Sequence, residues 1–335
     1  MRAVLIENES GDASSLYIAE TTTPTPRSDE VLIKTKAFGL NRLDIEQRNG
    51  KYPPPAGSSS ILGVEFSGQI SAVGADVTQW KVDDEVMGLA GGGAYAEYII
   101  VLATHVMRKP AHLSWAEAAS IPENFLTAFQ VLFLCSALQP CEDVLVHAAA
   151  SGVGTAAIQL ARFHGARTVT ATASTSEKLD MVLSLPHGAT HAVSYKTGDF
   201  VETVKQATGG KGVDVIIDFV GQSYWEKNIA SLAVDGRMTI LSVLSGAIVP
   251  SANLLPILYK RLRIQGSTLR SQKPAYQADL IARFDKQFLH QITGEQGTGP
   301  IKTSIHKVYP WTEIQEAHRE MEANKNSGKI IAEVV

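Results

Sequence analysis

Two regimes of hydrophobic patterning divide the chain. From residue 1 to about 111, apolar and polar positions alternate over short spans, as in Val31-Leu-Ile-Lys-Thr-Lys36 and Phe66-Ser-Gly-Gln-Ile-Ser-Ala-Val73. Clusters such as Pro53-Pro-Pro-Ala-Gly-Ser-Ser-Ser60 punctuate them. Alternation sends successive side chains to opposite faces of a strand, and Pro, Gly and Ser clusters favour turns. This part predicts an antiparallel, barrel-like β domain. From about residue 114, short apolar strands alternate with amphipathic helices. Strands are expected from 143 and over 168–172, 191–194, 213–218, 237–241 and 262–266, with helices over 177–183, 199–208 and 225–233 between them. Parallel neighbours require such crossovers, so the pattern predicts a doubly wound parallel sheet and an α/β fold overall. The tail from residue 301 reads strand, helix, strand and is expected to rejoin the first domain. The expected boundaries are 1–122 with 272–335 for one domain and 123–271 for the other.

The segment Asp143-Val-Leu-Val-His-Ala-Ala-Ala-Ser-Gly-Val-Gly-Thr-Ala-Ala-Ile-Gln-Leu-Ala-Arg-Phe-His-Gly165 runs from an apolar strand through small residues into a helix. A helix starting at Gly152 or Gly154 aims unpaired N–H groups and a positive dipole end at the turn, which suits a pyrophosphate. The three-glycine fingerprint is imperfect. It aligns on Ala149, Ser151 and Gly154, so only the last glycine remains, and the Ser151 side chain stands where the backbone should approach the phosphates. Its hydroxyl can still donate to a phosphate oxygen.

An acid at the tip of the second strand accepts from the ribose 2′-hydroxyl of NAD. This chain reads Thr172-Ala-Ser-Thr-Ser176 there. Ser174 and Thr175 can donate, and Lys178 can pair with a 2′-phosphate, which favours NADPH. Glu177 points the other way, but in a first helical turn it also serves the dipole.

Composition narrows the field further. The 335 residues are 44% apolar and carry a net charge of −4, so the length favours two domains and no polyelectrolyte partner is implied. The apolar stretch 125–138 is interrupted by Thr127, Gln130 and Ser136 and falls short of the roughly 20 residues that span a bilayer. Without a long apolar leader, and with Cys135 and Cys141 as its two cysteines, the chain is expected to be soluble and cytoplasmic. The run 241–249, Leu-Ser-Val-Leu-Ser-Gly-Ala-Ile-Val, exceeds what one buried strand needs and suggests a homodimer at the sheet edge, with a loop over the cofactor as the alternative.

Several separated motifs agree in order and spacing: Leu40-Asn-Arg-Leu-Asp44, Gly50-Lys-Tyr-Pro53, Leu62-Gly-Val-Glu-Phe-Ser-Gly68, Pro122-Glu-Asn-Phe-Leu-Thr-Ala-Phe-Gln130, Ser151-Gly-Val-Gly154 and Gly221-Gln-Ser-Tyr-Trp-Glu-Lys-Asn228. Over almost its whole length the chain resembles the zinc-independent quinone oxidoreductases of the medium-chain dehydrogenase/reductase superfamily. The Tyr224-Trp-Glu-Lys-Asn228 stretch and residues 313–326 are similar to the tumour-suppressor-inducible branch rather than to zeta-crystallin proper. The resemblance implies a GroES-like catalytic domain beside a Rossmann domain, with NADPH in the cleft between them and a quinone as acceptor. It implies that Ser151, Gly152 and Val153 face the pyrophosphate, and that Lys178 and Tyr195 meet the 2′-phosphate. Thr127, Leu244 and Thr268 would lie by the nicotinamide, and Asn41 and Tyr52 would border the acceptor.

Zinc members of the superfamily carry a cysteine near the Asn41 position and a histidine at the position of Val64, so no metal is expected here. An NADPH-dependent enone or alkenal reductase, or a nucleotide-binding protein with little turnover, remain alternatives. Asn41 can also serve an Asx turn and Tyr52 can pack beside its prolines.

Overall fold

The computed structural model describes residues 1–294 and 298–335. In chain order its first elements are β1 (Arg2–Ile6), β2 (Leu16–Glu20), β3 (Glu30–Gly39), α1 (Arg42–Arg48), β4 (Glu65–Val73), β5 (Glu85–Leu89), β6 (Tyr98–Leu102), β7 (Val106–Arg108), α2 (Trp115–Ala119) and α3 (Pro122–Phe129). Then come β8 (Asp143–Val146), α4 (Gly152–Phe163), β9 (Thr168–Ala173), α5 (Ser176–Ser184), β10 (His191–Ser194), α6 (Phe200–Ala207), β11 (Val213–Asp218), α7 (Trp225–Ser231), β12 (Leu232–Ile240), α8 (Leu255–Tyr259) and β13 (Arg263–Gly266). The remainder holds α9 (Pro274–Phe284), α10 (His290–Thr293), β14 (Ile305–Pro310), α11 (Ile314–Glu322) and β15 (Lys329–Glu333).

Two compact units emerge, one of residues 1–126, 269–299 and 303–335, the other of 127–268 with 300–302. The first is built on the sheet β14-β15-β3-β4-β5-β7, with β6 also on β3 and a separate β1-β2 ribbon. The last strand thus enters beside the third, Ile331 opposite Gly39. Its core gathers Phe38, Phe66, Tyr95, Tyr309 and Trp311 from across that chain length. The α/β fold class read from the patterning holds: strands dominate the first unit, and six parallel strands with intervening helices form the other.

In the second unit, six parallel strands lie in the order β10-β9-β8-β11-β12-β13. The order reverses beside β8, where a doubly wound sheet opens a crevice beyond its strand ends. Val144, Leu145 and Val146 are buried on both faces, as are Val215, Ile216 and Ile217 beside them. Strand β12 begins at Leu232, earlier than the pattern suggests, because Leu232 and Ala233 are buried while α7 closes at Ser231. The apolar stretch at 125–138 belongs to a helical run, Trp115–Cys135, of 21 residues. That run is long and apolar enough to cross a membrane, but 83% of its most apolar window is buried within the protein, as in a core helix.

Candidate active site

The residues expected from the sequence to face a nucleotide sit at the carboxyl ends of β8, β9 and β10. After β8 the backbone turns through Ala148 at φ 45°, a left-handed conformation that glycine adopts more readily, and α4 begins at Gly152. Ser151 is its N-cap, and its Oγ accepts from Gly154 N at 3.0 Å. The hydroxyl hydrogen remains available, and the N–H groups of Gly152 and Val153 lie in the first turn, where no helical carbonyl precedes them. Gly154 is required by contact: a Cβ there would lie 2.5 Å from Ala149 O and 2.6 Å from Ala148 O.

Ser174 and Thr175 follow β9, and Tyr195 follows β10, its N–H bonded to Ala173 O at 3.1 Å, so the two tips adjoin. Thr175 caps α5 by accepting from Lys178 N at 3.4 Å. The backbone N–H of Glu177 itself, and after it the Thr175 hydroxyl, hold the exposed Glu177 carboxyl below the usual range, so that carboxylate is committed within its own helical turn. Lys178 is half-buried, and burial together with the charge of Lys196 lowers its ammonium pKa. Two cations therefore flank the tip of β9, and Tyr195, 45% exposed, stands beside Tyr224 at 6.5 Å between ring centroids.

Thr127 opens the second unit and is buried, and one turn on, Gln130 Nε2 reaches Thr268 O at 3.3 Å, which brings the end of α3 to the segment after β13. Leu244 follows β12, its N–H on Phe219 O at 3.2 Å, and is 56% exposed. Asp218, for which the sequence raised no expectation, is buried at the end of β11 and accepts from Val220 N at 2.8 Å and Gly221 N at 3.1 Å. Strand β8 ends at Val146, and His147 lies fully buried just beyond. There Nε2 faces Asn228 Oδ1 at 2.7 Å and Nδ1 faces Thr172 Oγ1 at 3.0 Å, and burial lowers its pKa to about 4.

The first unit holds Asn41 and Tyr52 at opposite ends of α1. Asn41 caps the helix. Lysine can only donate and a carboxylate can only accept, so the contacts fix its amide: Oδ1 accepts from Lys329 Nζ at 2.6 Å, and Nδ2 donates to Glu65 Oε1 at 2.9 Å. Glu65 pairs with Lys329, and both are almost completely buried. Glu65 Oε2 also accepts from Glu123 N at 2.8 Å, and Lys329 reaches Asn124 Oδ1 at 3.3 Å. Gly39 makes room, since a Cβ there would collide with Glu65 and with Lys329 Cε. The amide of Asn41, expected to border the acceptor, is thus already committed to this clamp. Burial and the Glu65 charge push the Glu123 carboxyl up to about 8.

A second chain of contacts braces the same loop. Arg48 Nη1 lies 3.1 Å from His318 Nδ1, and since arginine only donates, His318 carries its hydrogen on Nε2 and gives it to Tyr95 Oη at 3.2 Å. Tyr95 donates to Asp44 Oδ2 at 3.3 Å, and Asp44 accepts from Asn41 N at 2.8 Å and Gly63 N at 3.1 Å. Burial raises the Asp44 carboxyl to about 6 and lowers His318 to about 3. Tyr52 is half-buried, its ring 5.7 Å from the Arg270 guanidinium carbon.

Comparison with known proteins places this architecture. Residues 27–111 match the model of the alcohol dehydrogenase GroES-like domain, and residues 152–286 match that of the zinc-binding dehydrogenase. Quinone oxidoreductase 1 of Escherichia coli is 32% identical over 322 residues, covering 95% of each chain. The chain belongs to the medium-chain dehydrogenase/reductase superfamily. Within it, the synaptic vesicle membrane protein VAT-1 homolog of Danio rerio is also 32% identical, over 92% of this chain, which spans 65% of that relative's length. Among solved structures, an E. coli quinone oxidoreductase complexed with NADPH has a TM-score of 0.86 at 29% identity, covering 100% of both chains. The CurK enoyl reductase has 0.84 at 32% identity over 99% of each.

The zinc in the matched family's description does not fit the residues present. Val64 offers no donor and is fully buried, while Asn41 Oδ1 and Glu65 already accept from an ammonium that would repel a divalent cation. Among the described residues no group of three or more His, Cys, Asp or Glu side chains is placed to hold a metal.

Proposed function

We propose that this member of the superfamily reduces quinones with NADPH and without a metal. The observation that carries the cofactor choice is the tip of β9, where Ser174, Tyr195, Lys178 and Lys196 gather and the Glu177 carboxylate is engaged by its own backbone, Thr175 and Ser176. Ser151, Gly152 and Val153 would hold the pyrophosphate through a hydroxyl and two first-turn N–H groups. Thr127, Leu244 and Thr268 would border the nicotinamide. The cofactor supplies a hydride when bound. The chain's own part is to bind, orient and stabilise charge, so the acceptor must be intrinsically electrophilic. Tyr52 would present a flat ring to a quinone, and the Glu65–Lys329 clamp would fix the loop that Asn41 opens.

A second reading, reduction of an enone C=C bond, is favoured by the similarity to an enoyl reductase. A steady-state screen of quinones and enones with NADPH and NADH, followed by product analysis, tests both. Hydroquinone formation with NADPH is expected, and no reduction of either class would leave a nucleotide-binding protein.

The reading extends to a homodimer. Among the described residues, strand β13 pairs with β12 alone and leaves its other edge open. Residues 241–249 form no strand, and Ile248 there and Leu254, Leu258 and Tyr259 at α8 are 65–76% exposed. An open edge beside exposed apolar side chains suits twofold pairing with a second copy. Light scattering at micromolar concentration should give twice the 36.0 kDa chain mass, and a monomer would refute it.

A further inference from the structure

We infer that Arg270 is a catalytic residue of the acceptor site: its Nη1 receives the acceptor's carbonyl oxygen beside Tyr52 and holds the negative charge that oxygen gains on reduction. The inference deepens the proposed function and rests on it for the identity of the acceptor.

Arg270 is 4% exposed. Two of its nitrogens are fixed by neutral acceptors, Nε on Gly91 O at 2.8 Å and Nη2 on Gln47 Oε1 at 2.7 Å. Gln47 is in turn held by its Nε2 on Ser60 O at 2.9 Å. The third nitrogen, Nη1, is buried and has no hydrogen-bond partner among the described residues. A guanidinium cannot shed its proton to escape this state, and an unmet buried donor is a cost that native structures rarely carry without use. The carboxylate whose charge acts on it most, Asp44, is occupied by Asn41 N, Gly63 N and Tyr95 Oη. What the arrangement lacks is an oxygen that becomes anionic.

The Tyr52 ring, half-buried on the irregular segment 51–60, lies against the guanidinium, and in the proposed complex its side chain would turn aside for a flat conjugated carbonyl to reach Nη1. The same first step serves quinones and enones. A hydride from NADPH forms a C–H bond at the acceptor's β carbon, and the C=C pair shifts toward the carbonyl. The C=O pair settles on oxygen as an enolate, and NADPH is left as NADP⁺. Arg270 keeps its protons and stabilises the enolate oxygen. Water then protonates the enolate, and a quinone adduct tautomerises to the hydroquinone. A donor aimed at a developing oxyanion contributes on the order of a hundredfold to turnover.

The test compares wild type with Arg270→Met and Arg270→Lys, their folding checked by circular dichroism and thermal melting. In Arg270→Met, acceptor kcat/KM should fall about a hundredfold while NADPH affinity, read by fluorescence, changes less than twofold. Arg270→Lys, which keeps the charge, should recover part of the loss. A readout without turnover uses 4-nitrophenol, whose phenolate absorbs in the visible. Wild type should lower the pKa of the bound probe and Arg270→Met should not. Unaltered acceptor kinetics in both variants overturn the inference, as does a probe that titrates identically on all three proteins. If wild type reduces neither quinones nor enones, the acceptor reading fails, and the probe arm alone decides whether Arg270 is an oxyanion site.

Discussion

Replacing Lys329 by Met should destabilise the first unit by about 3–5 kcal/mol, the range for removing one partner of a buried ion pair. The ammonium is 4% exposed and its partner Glu65 is 0% exposed, so solvent screening is minimal on either side. Met fills much of the stem volume but leaves the Glu65 carboxylate with only Asn41 Nδ2 and Glu123 N as donors, and strands the amide oxygens of Asn41 and Asn124. With a urea m-value of about 1–3 kcal/mol/M, the midpoint for this unit should drop by roughly 2 M. The decisive comparison is a double-mutant cycle with Glu65→Gln, since Gln removes the stranded charge that makes the single variant costly. The two losses should then be non-additive by about 2 kcal/mol or more. Additivity to within about 0.5 kcal/mol would show that the pair carries no coupling and that the clamp on Asn41 is not electrostatic.

On the nucleotide side, Lys178→Ala should weaken NADPH by roughly ten- to a hundredfold, the worth of one charge-assisted contact, and leave NADH little changed. Equal loss for both, measured by titration, would refute the 2′-phosphate role. Gly154→Ala should destabilise the second unit by about 1–3 kcal/mol, because its Cβ meets backbone oxygens that cannot rotate away, and should weaken NADPH. An unchanged melt with unchanged affinity would contradict the packing. His147 and His318 are held neutral in the fold, with pKa values lowered from 6.5 to about 4 and about 3. Their stabilising contributions should be complete above pH 6.5 and vanish as pH falls through those values. Imidazole resonances titrating with midpoints near 6.5 in the native protein would overturn this.

The centre of the parallel sheet was legible because its strands are buried on both faces and carry apolar runs such as Val144-Leu-Val146 and Val215-Ile-Ile217. The helix start at Gly152 was legible for a local reason too: a capping serine stands next to small residues. Strand β10 is less buried, yet a crossover helix on each side marks it. Residues that act through distant partners were not legible. Lys329 looks like any lysine opening an apolar strand, and only the pairing of β15 with β3 carries it to Asn41 and Glu65. Arg270 has no local signal either, since its orphaned nitrogen is defined by Gln47 and Gly91, residues 223 and 179 positions away. Asn41 was identified as a residue of interest from its motif, but its commitment to a clamp depends on a cation from the far end of the chain.

That clamp sets a schedule for biosynthesis. Asn41 meets Lys329 across 288 positions, and β15 takes its place between β14 and β3 only after nearly everything else has been made. At typical translation speeds of about 5–20 residues per second, one edge of β3 waits on the order of tens of seconds for its partner, with the Glu65 carboxylate uncompensated. Residues 127–268 form a contiguous stretch that can pair its own strands during that interval. The first unit is therefore the slow and aggregation-exposed part of the nascent chain, and its buried clamp closes only once β15 has emerged.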